Sequence, residues 1–284
     1  MMVNFVERTF YGLPKVNVDD VVKGTIAILG SRITTKSIHP PHGVEKATYV
    51  LRKVSDEYSG YIPYLGITLH DKDVVDLGDF DKDTIGETVK TVIESGGIAF
   101  VIGGDHATTF YALEKVEGLN NIVWLDAHLD LANQGDFGIE EEISHASALY
   151  NILEKKNIEA TIIGFRGHST PVVERERVNK LRIKTVSDLR DERLVVSLLK
   201  NADAVSLDID FFDAAEFIAT RVPEIGGISV REFLKIITKI DHLNARYFDI
   251  TEYCPDIDPG HVYAKILVQL IPYIIGLFIR SGYG

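Results

Sequence analysis

The sequence predicts an α/β protein: three layers, α/β/α, around a mostly parallel central sheet. Short β-branched runs alternate with helical stretches of about 10–15 residues along nearly the whole chain, the mark of βαβ units. Several of the strand runs are apolar throughout rather than alternating, as strands covered on both faces should be. No repeat, low-complexity tract or Pro/Ser-rich linker interrupts the 284 residues, so one domain spanning 1–284 is expected.

Gly24–Leu29 reads as the first strand, Glu45–Val54 as an amphipathic helix and Val74–Leu77 as a short strand. Asp83–Ser95 is a helix that opens on an acidic residue and stops at Gly96-Gly97. Then come Ile98–Ile102 as strand, Ala107–Val116 as helix, Ile122–Leu125 as strand and Ala146–Lys156 as helix. Ala160–Ile163, Ala204–Leu207 and Arg246–Ile250 are further strands, separated by helices near Asp188–Leu199 and Ser229–Ile240. The run from His261 to Ile279 is apolar enough to raise the question of a membrane span. Lys265, Gln269 and Pro272 interrupt it, however, and about 20 clean apolar residues are needed to cross a bilayer. It reads as a buried core helix kinked near Pro272, and no membrane partner is expected.

Composition narrows the function. Lys and Arg number 30 against 42 Asp and Glu, a net charge of −12, which argues against nucleic-acid or anionic-membrane partners. The one cysteine, Cys254, excludes an intrachain disulfide and suits a reducing, cytoplasmic setting. The first residues lack the basic and apolar regions of a secretory signal.

Parallel sheets carry their chemistry just beyond the carboxyl ends of their strands. Three such ends run into metal-type residues. Ile98–Ile102 leads into Gly103-Gly104-Asp105-His106, where the glycines turn the chain and His106 opens the next helix. Alone, that histidine could equally be a helix-start hydrogen-bonding residue. Ile122–Leu125 leads into Asp126-Ala127-His128-Leu129-Asp130. In extended backbone, alternate residues share a face, so Asp126, His128 and Asp130 would point together and repel without a cation among them. Ala204–Leu207 leads into Asp208-Ile209-Asp210, with Asp213 close behind, and paired buried aspartates are costly without a counter-ion.

The set is two imidazoles and four carboxylates, a charge matching two divalent cations. Carboxylate-rich ligation favours a hard ion, and the two histidines tilt the choice from Mg toward Mn2+. The absence of thiolates argues against structural zinc. Two such ions about 3.5–4 Å apart form a hydrolytic device, because a water shared between them ionises near neutral pH.

GGDHATTF (103–110), DAHLD (126–130) and SLDIDFFD (206–213) resemble the three signature motifs of the ureohydrolase family, which includes arginase, agmatinase and guanidino-acid hydrolases. Weaker similarities lie in VVDLGDFD (74–81), SHAS (144–147), DITEYCPDID (249–258) and the apolar C-terminal helix. The resemblance implies an arginase/deacetylase-like fold, a small cationic guanidino substrate and a homo-oligomer, trimeric or hexameric. It implies a Mn2+ pair per subunit held by His106, Asp126, His128, Asp130, Asp208 and Asp210, with Asp130 also bonded to the attacking water. It assigns proton transfer to His145 and the grip on the guanidinium to Glu252. A mobile histidine near its ordinary pKa of about 6.5 suits that proton transfer; read without the resemblance, His145 is a loop histidine before a helix and Glu252 a strand-end glutamate.

The head-group signature that follows the second motif in arginases has no match in Leu131-Ala132 or Gln134-Gly135-Asp136-Phe137-Gly138. Glu140-Glu141-Glu142, unless simply solvated, would attract a cationic tail, which favours agmatine hydrolysed to putrescine and urea. Two departures from the family pattern matter. Asp213 lacks the usual following proline and Arg221 stands where glycine is typical; Ala146 replaces a glycine after His145. Arg221 could grip a substrate carboxylate, suiting a guanidino acid or formiminoglutamate, or lie on the surface. A metal-binding relative without turnover and a single-metal, deacetylase-like amidohydrolase are the readings from other classes.

Overall fold

In the computed structural model, which describes residues 8–36, 39–40, 42–136, 139, 141–167, 172–186 and 191–284, strands and helices alternate as expected. The chain begins with β1 (Ile26–Ser31), α1 (Ala47–Ser55), a hairpin of β2 (Tyr61–Ile62) and β3 (Ile67–Thr68), β4 (Val74–Phe80) and α2 (Ile85–Glu94). It continues through β5 (Ile98–Ile102), α3 (Ala107–Leu113), β6 (Asn121–Leu125), α4 (Ala148–Lys155) and β7 (Glu159–Ile163). Next are α5 (Val172–Val178), β8 (Ile183–Val186), α6 (Glu192–Lys200) and β9 (Ala204–Asp208). The last elements are α7 (Val230–Ile237), β10 (Tyr247–Thr251) and α8 (Val262–Arg280). The hairpin, α5 and β8 were not anticipated. They are short, and β8 is an edge strand with no fully buried residue, so their apolar patterns are weak. The helix predicted from Asp188 has its first residues, to 190, outside the described residues.

Eight strands form one sheet in the order β4-β1-β5-β10-β9-β6-β7-β8, and every pairing in it is parallel. Successive residues of one strand enter opposite cores. Ile98, Phe100 and Ile102 join the core under α1, α6, α7 and α8, while Ala99 and Val101 join the one under α2, α3 and α4. Hence the uniformly apolar runs: both faces of the pleat are buried.

The apolar C-terminal run is α8. By length and composition it could cross a membrane, but 67% of its most apolar stretch is buried inside the protein. It runs unbroken through Pro272. Proline has no N–H to give the carbonyl four residues earlier, and Val268 O takes its hydrogen bond from Tyr11 Oη instead, at 2.7 Å. Asp258 satisfies the first turn by accepting from Tyr263 N (3.1 Å) and Ala264 N (2.9 Å).

The acids of the 74–81 segment have a structural task. Asp76 accepts a bidentate pair from buried Arg52, Nε and Nη2 both at 2.9 Å, and Asp79 takes a further contact from the same guanidinium. What the topology does for function is simpler. The adjacent strands β5, β10, β9 and β6 all end on one edge, so their four C-terminal loops meet.

Candidate metal centre

The turn after β5 needs its glycines. Gly103 and Gly104 have φ of 90° and 74°, and a Cβ on Gly103 would lie 2.8 Å from the Thr48 methyl. The turn sets His106 against Trp124, rings stacked with centroids 4.0 Å apart. His106 Nε2 donates to Ser206 Oγ (2.8 Å), whose own proton goes to Asp249 Oδ1 (2.6 Å). Asp249 also accepts from Thr109 Oγ1 (2.7 Å) and Tyr247 Oη (2.6 Å). This network assigns the ring proton to Nε2 and leaves a lone pair on Nδ1. Nδ1 has no hydrogen-bond partner, yet it lies 3.1 Å from Asp126 Oδ2, 2.9 Å from Asp130 Oδ2 and 3.3 Å from Asp208 Oδ2.

A second convergence adjoins the first. His128 Nδ1 lies 3.4 Å from Asp126 Oδ1 and 2.9 Å from Asp210 Oδ2. Asp126 therefore serves both groups, one oxygen to each. Backbone and indole donors hold the carboxylates in place: Trp124 Nε1 to Asp126 Oδ2 at 2.9 Å, Asp210 N to Asp208 Oδ1 at 2.8 Å, and Ala127 N to Asp210 Oδ1 at 3.1 Å. In each trio, His106–Asp126–Asp208 and Asp126–His128–Asp210, one ligand atom per residue lies within 4.8 Å of the others.

All six predicted ligands thus come together, though by another route than the pleat of a strand. β6 ends at Leu125, Asp130 turns back at φ 52°, and Asp210 sits in a 3-10 turn, Ile209–Phe211. A non-glycine residue in the left-handed region is strained, and such strain gathers at functional sites. Asp213 makes no such convergence: it folds its own loop by accepting from Ala215 N, Gly226 N and Gly227 N.

Acceptors aimed at acceptors fit a cation. Burial, then the charge of Asp126, pushes Asp130 up to about 8, and burial with neighbouring carboxylates raises Asp208 and Asp210. Burial opposes charging His106 and His128, but the surrounding aspartates outweigh it and raise both. These opposed shifts are what crowded carboxylates and imidazoles show without a counter-ion, and a divalent ion would relieve them, so the residues present suit a metal.

The other predicted site residues lie beside these donors. Glu252, at φ 66° just past β10, accepts from His106 N through Oε1 (2.9 Å), while its buried Oε2 has no hydrogen bond. Burial pushes Glu252 up to about 7, offset in part by the nearby Arg221 guanidinium. Arg221 is no surface residue. Its side chain is 2% exposed, with Nη2 3.3 Å from Asp105 Oδ2, Nε 3.4 Å from Glu252 Oε2 and Nη1 3.2 Å from His145 Nδ1. Guanidinium nitrogens only donate, so the His145 proton is on Nε2. Burial and this fixed cation hold the His145 pKa well below 6.5, where the sequence suggested an ordinary value.

Several contributors were passed over in the sequence. Asp105 and Ser206 stood inside the motifs without a role, and Asp249 was visible as a lone acid in the apolar strand run of β10. Glu224, whose Oε1 is 3.5 Å from His128 Nε2, carried no local signal. Of the loop glutamates, Glu140 lies outside the described residues, as do Phe137 and Gly138, and Glu142 is exposed. Because Asp249 orients His106 through Ser206, Asp249→Asn is expected to weaken metal binding about 10–100-fold, measured by metal titration of the purified variant.

A parallel sheet whose central strand ends bring carboxylates and imidazoles together as candidate metal ligands has the site of a metal-dependent hydrolase. The chain belongs to the arginase family, whose sequence pattern residues 25–276 match. Members of that family hydrolyse guanidino compounds, and this chain is such a ureohydrolase. It is 26% identical to the agmatinase of Pyrococcus horikoshii, with 98% of this chain aligned to 100% of that one. It is 25% identical to the N(1)-aminopropylagmatine ureohydrolase of Thermococcus kodakarensis, over 82% of this chain and 84% of the relative. In fold it matches formimidoylglutamase of Bacillus subtilis with a TM-score of 0.81 at 18% identity, covering 96% and 92% of the two chains.

Proposed function

We propose that this protein is a manganese-dependent amidinohydrolase whose substrate is a small cationic guanidino compound, agmatine foremost, cleaved to putrescine and urea. One observation carries the reading: a planar guanidinium, that of Arg221, already sits against Glu252 and Asp105 beside the donor cluster, so the pocket is complementary to such a group. The agmatinases among the relatives support agmatine. His106, Asp126, Asp130 and Asp208 would hold one ion, and Asp126, His128 and Asp210 the other. When bound, Mn2+ supplies a Lewis acid that activates water at neutral pH.

The chain's residues do the rest. Glu252 Oε2 anchors the substrate guanidinium and turns its carbon toward the aspartates. Asp130 holds the proton taken from the attacking water, and His145 passes a proton to the leaving amine. A carboxylate-bearing substrate finds little support in Arg221, whose donors face the protein's own Asp105, Glu252 and His145. A single domain, a cytoplasmic setting, a homo-oligomeric assembly and a part in polyamine formation complete the proposal.

The test is product release by Mn2+-loaded protein given agmatine, arginine, guanidinobutyrate or formiminoglutamate. Agmatine is expected to give urea fastest. Turnover of only the last two would end the agmatine reading, and no turnover of any would favour a metal-binding relative without activity. One ion per chain on metal analysis would favour the single-metal amidohydrolase.

A further inference from the structure

The site carries a guanidinium of its own. Arg221 comes from the loop between β9 and α7, and two carboxylates from distant segments, Asp105 and Glu252, face it. Asp105 is itself held by Thr35, through N and Oγ1, and by Ala107 N at 3.1 Å, so the pocket is built rather than incidental. Any guanidinium anchored on Glu252 needs the space that Arg221 fills.

The seating is nevertheless incomplete. Arg221 Nε and Glu252 Oε2 are both buried and 3.4 Å apart, yet neither makes a hydrogen bond. A donor and an acceptor left facing each other without a bond are poorly satisfied. An incoming guanidinium able to fork onto Glu252 would do better. Arg221 also donates to His145 Nδ1, so its departure breaks that hydrogen bond at the same moment.

We propose that Arg221 is a built-in competitor for the guanidinium seat: a guanidino substrate reaches Glu252 only by displacing the Arg221 side chain. The competition weakens every guanidino ligand by a common factor, so it sets the concentration at which such a ligand is taken up and leaves the ranking among them to their remaining groups. The consequence for substrates rests on Glu252 being the anchor, as proposed above; the occupancy itself does not.

The experiment uses the guanidinium ion as probe, at about 1–20 mM, against matched sodium and urea, with Arg221→Ala and Arg221→Lys beside the wild type. By linkage, a ligand that fills a vacated seat raises the thermal midpoint. Arg221→Ala is expected to melt lower than wild type and to regain several degrees with guanidinium but not with sodium or urea. The wild type should not respond. In the Mn2+-loaded enzyme the variant's KM for agmatine should fall at least about tenfold. Arg221→Lys keeps the charge but not the fork, and should respond to guanidinium with a smaller amplitude. It carries the test if the alanine variant does not fold. Absence of a guanidinium-specific response in the variants, or a rise in KM, overturns the proposal. Selective stabilisation without urea release from agmatine by either protein upholds the occupancy and defeats the agmatine reading instead.

Discussion

Replacing Asp126 by asparagine is expected to cost the protein both ions, not one. Its Oδ2 lies 3.1 Å from His106 Nδ1 and its Oδ1 3.4 Å from His128 Nδ1, so it is the carboxylate common to both groups. Asparagine keeps the shape but removes a charge and turns an NH2 toward one of two imidazole nitrogens. Asp210→Asn is the comparison, because Asp210 approaches only His128. Metal analysis after dialysis should find about two ions per chain in the wild type, far less than one in Asp126→Asn, and an intermediate content in Asp210→Asn. Hydrolysis by Asp126→Asn should drop by roughly a thousandfold or more. Wild-type metal content in Asp126→Asn would sink the assignment of a shared ligand.

Glu252→Gln should produce the second large effect. Removing one partner of a buried charge pair costs about 2–5 kcal/mol, or some thirty- to several-thousand-fold in kcat/KM for a guanidino substrate. Glutamine retains an oxygen to accept from His106 N, so the turn into α3 should persist. The substitution also takes one of the two carboxylates from the buried Arg221 guanidinium and leaves it Asp105, so the thermal midpoint should fall by several degrees. A merely structural glutamate would show that fall with little loss of kcat/KM. Kinetics and melting on the same preparation separate the two.

The donor cluster could be read in the sequence because a strand buried on both faces cannot end in aspartates without something to neutralise them. Alternating side chains along a strand would have gathered Asp126, His128 and Asp130 on one face, whereas Asp130 arrives by a left-handed turn, which no residue pattern announces. Arg221 was legible only as an anomaly. That it lies against Asp105, 116 positions away, follows from how β5, β9 and β10 neighbour one another, and local sequence does not encode that. The same holds for His145, whose proton affinity is set by burial and by that arginine. For α8 the apolar composition revealed burial, but nothing near Pro272 pointed to Tyr11 as the donor for Val268 O.

The order of the sheet also dictates when the site can exist during folding. β10 is the last strand in the chain, yet it lies between β5 and β9, and His106 N meets Glu252 across 146 positions. Closing so long a segment is slow, since its entropy is lost before the contacts that reward it form. On a ribosome the donors after β5, β6 and β9 emerge well before the strand that must slot between two of them. Asp126, His128 and Asp210 follow the paired strands β6 and β9 and can gather before β10 arrives, whereas His106 joins them only when β10 bridges β5 to β9. The two donor groups are thereby completed at different stages of folding, the His106 group last.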